Sequence, residues 1–266
     1  MDLYVEIQLS QTRSPACGSA VSRWFRSSMS GFLGGLTDAG IPLAATLVRR
    51  EDDPSEIFDD GEIATGFVQA LEVCPFWAQV DAYSGDIQLG RVRSSWSSIG
   101  SDYSTLSVGM QCGEDALADR AYCSWIVDCL VDAIGDTDAA FGRIEYKQFS
   151  DRSNLDIGLR RRPREFLCKA GDILRGYAWV TVCPREVISM LGGIASISSS
   201  GAFFRVIPLP SGGAVLQASE SLSGYTDDVM ERVFLALAPA LPSGMPKSDP
   251  AFPSVRFFPG DALSGL

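Results

Sequence analysis

The change of hydrophobic period near the start of the chain limits the fold more than any other feature. Between Leu3 and Leu9, apolar residues alternate with polar ones, and a period of two is typical of a strand with one buried face. Over residues 21–36 the apolar residues recur at helical spacing, and Gly40 follows as a stop signal. Residues 43–48 then predict a second strand. The chain therefore opens in the order strand, helix, strand.

The same two periods return later in the chain. Further strand-like segments are residues 76–83, 103–111, 177–182, 203–207 and 214–218. Residues 115–134 show helical spacing, and Thr226 is placed to cap a last helix. We predict an α+β fold with a mixed or antiparallel sheet, or sheets, and packed helices. Two related strand-strand-helix halves that share one core are one arrangement of it.

The length and the prolines predict the domain organisation. At roughly 150 residues per domain, a chain of 266 residues suggests one large domain or two packed halves. We predict a single α+β domain over residues 1–238, with halves at 1–140 and 141–238 as a subdivision. Residues 239–266 contain six prolines and predict an irregular tail or strap.

The chain contains no histidine, and this absence excludes many enzymes. Ser-His and Cys-His nucleophile pairs, histidine general bases and paired-histidine metal sites all require that residue. The lysines Lys147, Lys169 and Lys247 lack the sequence context of a phosphate-binding loop or a Ser-x-x-Lys pair. We therefore expect no enzyme, no cofactor and no metal site. The alternative is an enzyme that uses carboxylates alone, such as a glycan hydrolase.

Charge is distributed unevenly around the net value of −11. Residues 51–141 carry 18 acidic side chains and three basic ones, whereas residues 142–185 carry ten basic and five acidic ones. Arg160, Arg161, Arg162 and Arg164 are nearly consecutive; the cluster either contacts phosphate or pairs internally with the acidic segment. An acidic surface attracts basic proteins and repels nucleic acid, so we expect no nucleic-acid partner.

The densest acidic run follows Glu51 and is interrupted by Pro54, which predicts an exposed loop. Such a loop either faces water or docks onto a basic partner. A calcium loop is excluded because placing Gly61 at the sixth position puts Phe58 and Phe67 where oxygen ligands are needed. The candidate contacts with a basic partner are Asp52, Asp53, Glu56, Asp59, Asp60 and Glu62.

Cysteine usage and hydropathy predict the compartment. The seven cysteines are odd in number and never spaced Cys-x-x-Cys, so reduced, mostly buried thiols in a cytoplasm are expected. No export signal is visible at the start of the chain. The charge-free residues 187–204 contain several serines and glycines, which are costly in lipid, so no membrane partner is expected.

The order of four motifs resembles a family of bacterial polymorphic-toxin immunity proteins, the immunity protein fifty-two family. The motifs are Phe76-Trp77-Ala78-Gln79-Val80-Asp81-Ala82-Tyr83, Leu106-Ser107-Val108 leading to Cys112-Gly113, Gly176-Tyr177-Ala178-Trp179, and Gly212-Gly213-Ala214-Val215-Leu216-Gln217-Ala218. The resemblance covers roughly residues 1–239. It is one of pattern, and no functional residue is carried over from it.

The resemblance implies a cytoplasmic antidote that binds a cognate toxin domain and blocks its active site. Such toxins are commonly nucleases or NAD-using ADP-ribosyltransferases, whose clefts are basic because they hold phosphates. An acidic surface would complement either of them. A scaffold component of a larger assembly is the third hypothesis.

Overall fold

The computed structural model describes residues 3–9, 15–97, 103–146, 152–162 and 171–265. Arg164, Lys147, Lys169 and Cys168 lie outside these ranges. The strands are β1 (Leu3–Leu9), β2 (Leu43–Val48), β3 (Glu56–Phe58), β4 (Trp77–Ser84), β5 (Ile87–Ser97), β6 (Tyr103–Met110), β7 (Phe141–Tyr146), β8 (Val180–Cys183), β9 (Arg205–Pro208) and β10 (Ala214–Gln217). The helices are α1 (Pro15–Ser30), α2 (Gly34–Asp38), α3 (Asp60–Glu62), α4 (Val68–Ala70), α5 (Glu114–Ala118), α6 (Arg120–Ile134), α7 (Asn154–Gly158), α8 (Arg185–Met190), α9 (Gly193–Ser199) and α10 (Asp227–Leu237).

The strands form one antiparallel sheet in the order β3-β2-β4-β5-β6-β1-β7-β8-β10-β9. Helices pack against it, which confirms the predicted α+β class. The first strand lies in the interior of the sheet, because β1 pairs with β6 on one side and with β7 on the other. The sheet is therefore continuous across residues 140 and 141.

The burial of β1 differs from the prediction of one buried face. Val5 and Ile7 lie in the apolar core, as their period of two requires. Glu6 and Gln8 point to the opposite face, and they are buried as well, with 0% and 1% of their surface exposed. The polar positions of a central strand were assigned to solvent because alternation alone cannot show what covers the second face.

The longest strand, β5, was not predicted, and the segment between β4 and β6 was read as turns. The residues that β5 turns toward the core are Gly90, Val92 and Ser94, of which only one is strongly apolar. Gly90 is required here, since a Cβ atom at this position would lie 2.5 Å from Cδ2 of Leu33. Close helix packing, rather than hydrophobicity, therefore decides this strand.

The predicted helix over residues 115–134 is divided in two at Asp119. The side chain of Asp119 accepts a hydrogen bond from the backbone N of Ala121 at 2.8 Å and caps the start of α6. Residues 226 and 227 begin α10 as expected, although the Thr226 side chain makes no capping hydrogen bond.

The proline-rich segment packs along the body of the protein through backbone contacts. The backbone N of Lys247 donates to O of Gly158 at 2.8 Å, and the backbone N of Phe258 donates to the Tyr177 hydroxyl at 2.8 Å. The Phe258 ring also lies 4.9 Å from that of Phe234 in α10. We call residues 239–265 the strap.

The cysteines differ in part from the expectation of reduced thiols. Cys17 at the start of α1 and Cys74 are joined in a disulfide across 57 residues, with their Cα atoms 5.8 Å apart. The sequence separation hid this pair, which the packing of α1 against residues 71–74 brings together. Among the described cysteines, the free thiols are Cys112, Cys123, Cys129 and Cys183, and all are buried. In the same part of the chain, no helix has the length and apolar character needed to span a membrane.

Candidate functional site

The acidic run lies at one end of the sheet and is more ordered than the predicted loop. Its middle forms β3, which pairs with β2 through Ala45 and Phe58. The chain then turns into α3, followed by a π-helical turn, Ile63–Phe67. The Phe58 ring packs 5.5 Å from that of Phe67, which buries one side of β3. This apolar anchor is what converts the predicted loop into an edge strand. We call residues 51–62 the acidic edge.

Four of the six predicted contact residues hold the acidic edge in place. The carboxylate of Glu56 accepts hydrogen bonds from Nε and Nη2 of Arg49 at 2.5 and 2.9 Å, and this pairing lowers the pKa of Glu56 and raises that of Arg49. Oδ1 of Asp60 accepts from the backbone N of Leu43 at 3.2 Å. Oε2 of Glu62 accepts from the backbone N of Asp59 at 3.4 Å. These carboxylates therefore have a structural role besides any contact they make.

The other two predicted residues lie in the turn between β2 and β3. The backbone N of Asp53 donates to O of Arg50 at 3.1 Å, which closes the turn. Asp52 is exposed and Asp53 is half-buried. All six side chains thus lie within one continuous segment at the sheet edge, where a partner can reach them.

Beside the acidic edge, one face of the sheet is open. Along β4 the burial alternates, with Ala78, Val80 and Ala82 buried under the helices and the residues between them only half-buried. Asp81 organises this open face by accepting hydrogen bonds from Gln79 at 2.5 Å and from Nε of Arg91 at 2.8 Å. One solvated face is common in antiparallel sheets. Sequence analysis singled out none of these residues for binding.

A second feature that sequence analysis missed is a buried ionic cluster. Arg143 in β7 donates to Oε2 of Glu6 at 3.0 Å and to Oε2 of Glu145 at 2.7 Å. Arg175 donates to Oε1 of Glu6 at 3.1 Å and to Oδ2 of Asp156 at 2.7 Å. All five side chains are at most 4% exposed. The charges alternate with apolar residues in β1 and β7, a pattern that normally indicates a solvated face, so no sequence signal marked them.

Burial and pairing compete within this cluster. Burial raises the pKa of the Glu145 carboxyl, and the neighbouring Arg143 guanidinium opposes that rise. Burial also disfavours the charge of Arg143, but the Glu145 and Glu6 carboxylates outweigh it and raise the pKa of Arg143. The cluster joins β1, β7 and the segments around residues 156 and 175, and its paired charges are suited to holding these elements in one arrangement.

A cavity of about 170 Å³ adjoins the cluster. Tyr177, Trp179 and Tyr225 line it, together with Glu145 and, from the strap, Arg256. Arg256 donates to O of Tyr225 at 3.0 Å and to Oδ1 of Asp227 at 2.7 Å, which fixes the strap over α10. Glu145 supplies the one carboxylate among the described lining residues, and retaining or inverting glycan hydrolysis requires two.

Comparison with known proteins gives a structural relation but no family. The sequence matches no known protein family and no curated protein. Among solved structures, the chain is similar to the Pseudomonas aeruginosa T6SS protein PA0821, with a TM-score of 0.63 and 11% sequence identity. The match covers 90% of this chain and 76% of that one. At this identity the likeness shows the fold alone, and the fold of this chain is that of a protein associated with type VI secretion.

Proposed function

We propose that this protein is an immunity protein, which binds a cognate bacterial toxin domain and neutralises it. The observation that carries the proposal is the acidic edge, an ordered and exposed segment with six carboxylates at the end of the sheet. The motif order that resembles immunity protein fifty-two supports it, and so does the fold shared with a T6SS protein. No catalytic step by this chain is required.

The class of toxin follows from electrostatic complementarity. An active site that holds phosphate groups is basic, as in nucleases and NAD-using ADP-ribosyltransferases. Acidic side chains opposite such a cleft accelerate association and disfavour unsuitable partners. We propose that the acidic edge occludes a cleft of this kind.

The two residues that test this proposal best are Asp52 and Asp53, because the other four carboxylates also stabilise the local fold. We expect the double variant Asp52→Lys, Asp53→Lys to bind the toxin domain roughly tenfold to a hundredfold more weakly, chiefly through slower association. Surface plasmon resonance with the toxin domain encoded beside this gene measures both rates at two salt concentrations.

A matched control makes the same change of charge elsewhere. Asp132 and Asp138 are exposed and lie outside the acidic edge, so Asp132→Lys, Asp138→Lys should retain most of the affinity. If the Asp52, Asp53 variant binds as rapidly and tightly as the wild type, the acidic edge is not the interface. An equal loss in both double variants would indicate general attraction by net charge instead.

We further propose that the protein acts in the cytoplasm. The four buried free thiols fit a reducing compartment, whereas the Cys17–Cys74 disulfide does not, because disulfides are rare there. Alkylating the thiols in denatured extracts of rapidly acidified cells, followed by mass spectrometry, separates the two cases. We expect every cysteine to be alkylated without prior reduction. A linked peptide pair that contains Cys17 and Cys74 would contradict the cytoplasmic assignment.

A further inference from the structure

The sheet ends at β3, whose outer edge carries no strand in the part of the chain that the structure describes. The direction of its backbone groups follows from β2. Leu43 directs its N–H toward Asp60 on the β3 side, and alternate residues of a strand direct their N–H and C=O groups the same way. The β3 partners of those alternate residues are Glu56 and Phe58, which therefore face β2. The N–H and C=O groups of Ile57 consequently point outward, away from the sheet.

Ile57 is accessible as well as outward-facing. Its surface is 73% exposed, the largest exposed fraction among the large apolar residues in the described ranges. Its partner in β2 is Thr46, which places the Ile57 side chain at the border of the open face. An edge strand with free backbone groups and an exposed apolar side chain is a template for pairing with another strand.

A groove of about 520 Å³ runs between β3 and the π-helical turn, Ile63–Phe67. Glu56, Ile57 and Phe58 line one side of it, and Thr65 and Gly66 lie opposite, together with Glu62. The groove therefore has a peptide edge along one wall and carboxylates from both walls. An extended segment with a basic side chain satisfies both features, because its backbone pairs with Ile57 while its cation lies near Glu56 and Glu62.

The charges also identify the occupant. A second copy of this chain would bring its own acidic edge against Glu56 and Glu62, and like charges repel. A basic partner meets no such repulsion. Short, charged edge strands in natural proteins limit self-association in this way while they leave the backbone groups free.

We infer that the acidic edge recognises its partner by strand addition, in which an extended basic segment of the toxin domain pairs with the outer backbone of Ile57 and lies in the adjoining groove. This inference rests on the proposed function and adds to it the mode of binding. Backbone pairing supplies the affinity of such a contact, and the flanking carboxylates select a segment that carries Lys or Arg.

The test removes the outward N–H without disturbing the inward ladder. Ile57→Pro deletes the N–H that faces away from β2, and proline is tolerated on edge strands. Ile57→Thr keeps the N–H and the β-branched shape and serves as the matched control. Binding to the toxin domain encoded beside this gene is measured by calorimetry, and urea unfolding establishes that both variants are folded. We expect Ile57→Pro to weaken binding at least about tenfold and Ile57→Thr to remain within about threefold.

A second measurement does not depend on any variant. Hydrogen exchange of the wild-type chain, with and without the toxin domain, should show slower exchange of the Ile57 amide in the complex. Tight binding by Ile57→Pro, or an Ile57 amide that exchanges equally fast in the complex, would overturn strand addition while leaving toxin binding intact. Failure of the wild-type chain to bind would overturn both proposals. A wild-type dimer that Ile57→Pro dissociates would assign the edge to a second copy and would also overturn this one.

Discussion

Replacing Arg143 by methionine is expected to lower the free energy of unfolding by about 3–5 kcal/mol. The change leaves the Glu6 and Glu145 carboxylates buried, and Glu145 then has no printed cationic partner within hydrogen-bond distance, since Arg143 provides the 2.7 Å contact. Glu6 keeps the 3.1 Å contact with Arg175. Removing one partner of a buried ion pair costs much more than the pair contributes, because the remaining charge has lost its water and its counterion.

The size of this effect is measured by urea denaturation against a matched surface pair. Arg205 donates to Oδ1 of Asp128 at 2.9 Å, but both side chains are substantially exposed, so Arg205→Met should cost less than about 1 kcal/mol. If both substitutions cost the same small amount, the cluster does not stabilise the fold. Glu145→Gln in the Arg143→Met background should restore part of the stability, because it removes one of the uncompensated charges.

The second large effect is expected at Trp24, the apolar centre of α1. Trp24 is completely buried, and truncating a buried tryptophan to alanine costs about 3–5 kcal/mol through lost burial and the cavity that remains. Trp125 in α6 is 37% exposed and contacts the ring of Phe32, so Trp125→Ala should cost about 1–2 kcal/mol.

Thermal or urea unfolding of the two tryptophan variants checks this difference. Trp24→Phe fills most of the volume and should recover more than half of the loss caused by Trp24→Ala. Equal losses for Trp24→Ala and Trp125→Ala would show that α1 and α6 contribute to the core differently from what their burial indicates.

Local pattern predicted those elements whose core-facing residues are apolar. The strand Leu43–Val48 was predicted at its observed bounds, because its alternate residues Leu43, Ala45 and Leu47 are all buried. β5 was missed because glycine and serine occupy two of its core-facing positions, where the helices approach closely. The acidic run was predicted as a loop because the contact of Phe58 with Phe67 is not a property of either residue alone.

The candidate site was predicted in position but not in its internal roles. The sequence placed all six carboxylates in one exposed segment, and the structure agrees that they are adjacent at the surface. It could not separate Asp52 and Asp53 from Glu56, Asp59, Asp60 and Glu62, since the partners of the latter include Arg49 and Leu43, which belong to the preceding strand and turn.

The sequence by itself determined the α+β class, the separation of acidic from basic segments, and the loss of all histidine chemistry. These are properties of composition and of spacing along the chain, so they need no knowledge of distant contacts. Only the tertiary structure decided that β1 is buried on both faces, that Glu6, Arg143 and Arg175 form one cluster, and that β3 is an edge. Each of these depends on which strands become neighbours in the sheet, and strand pairing joins residues more than a hundred positions apart, as Glu6 and Arg143 are.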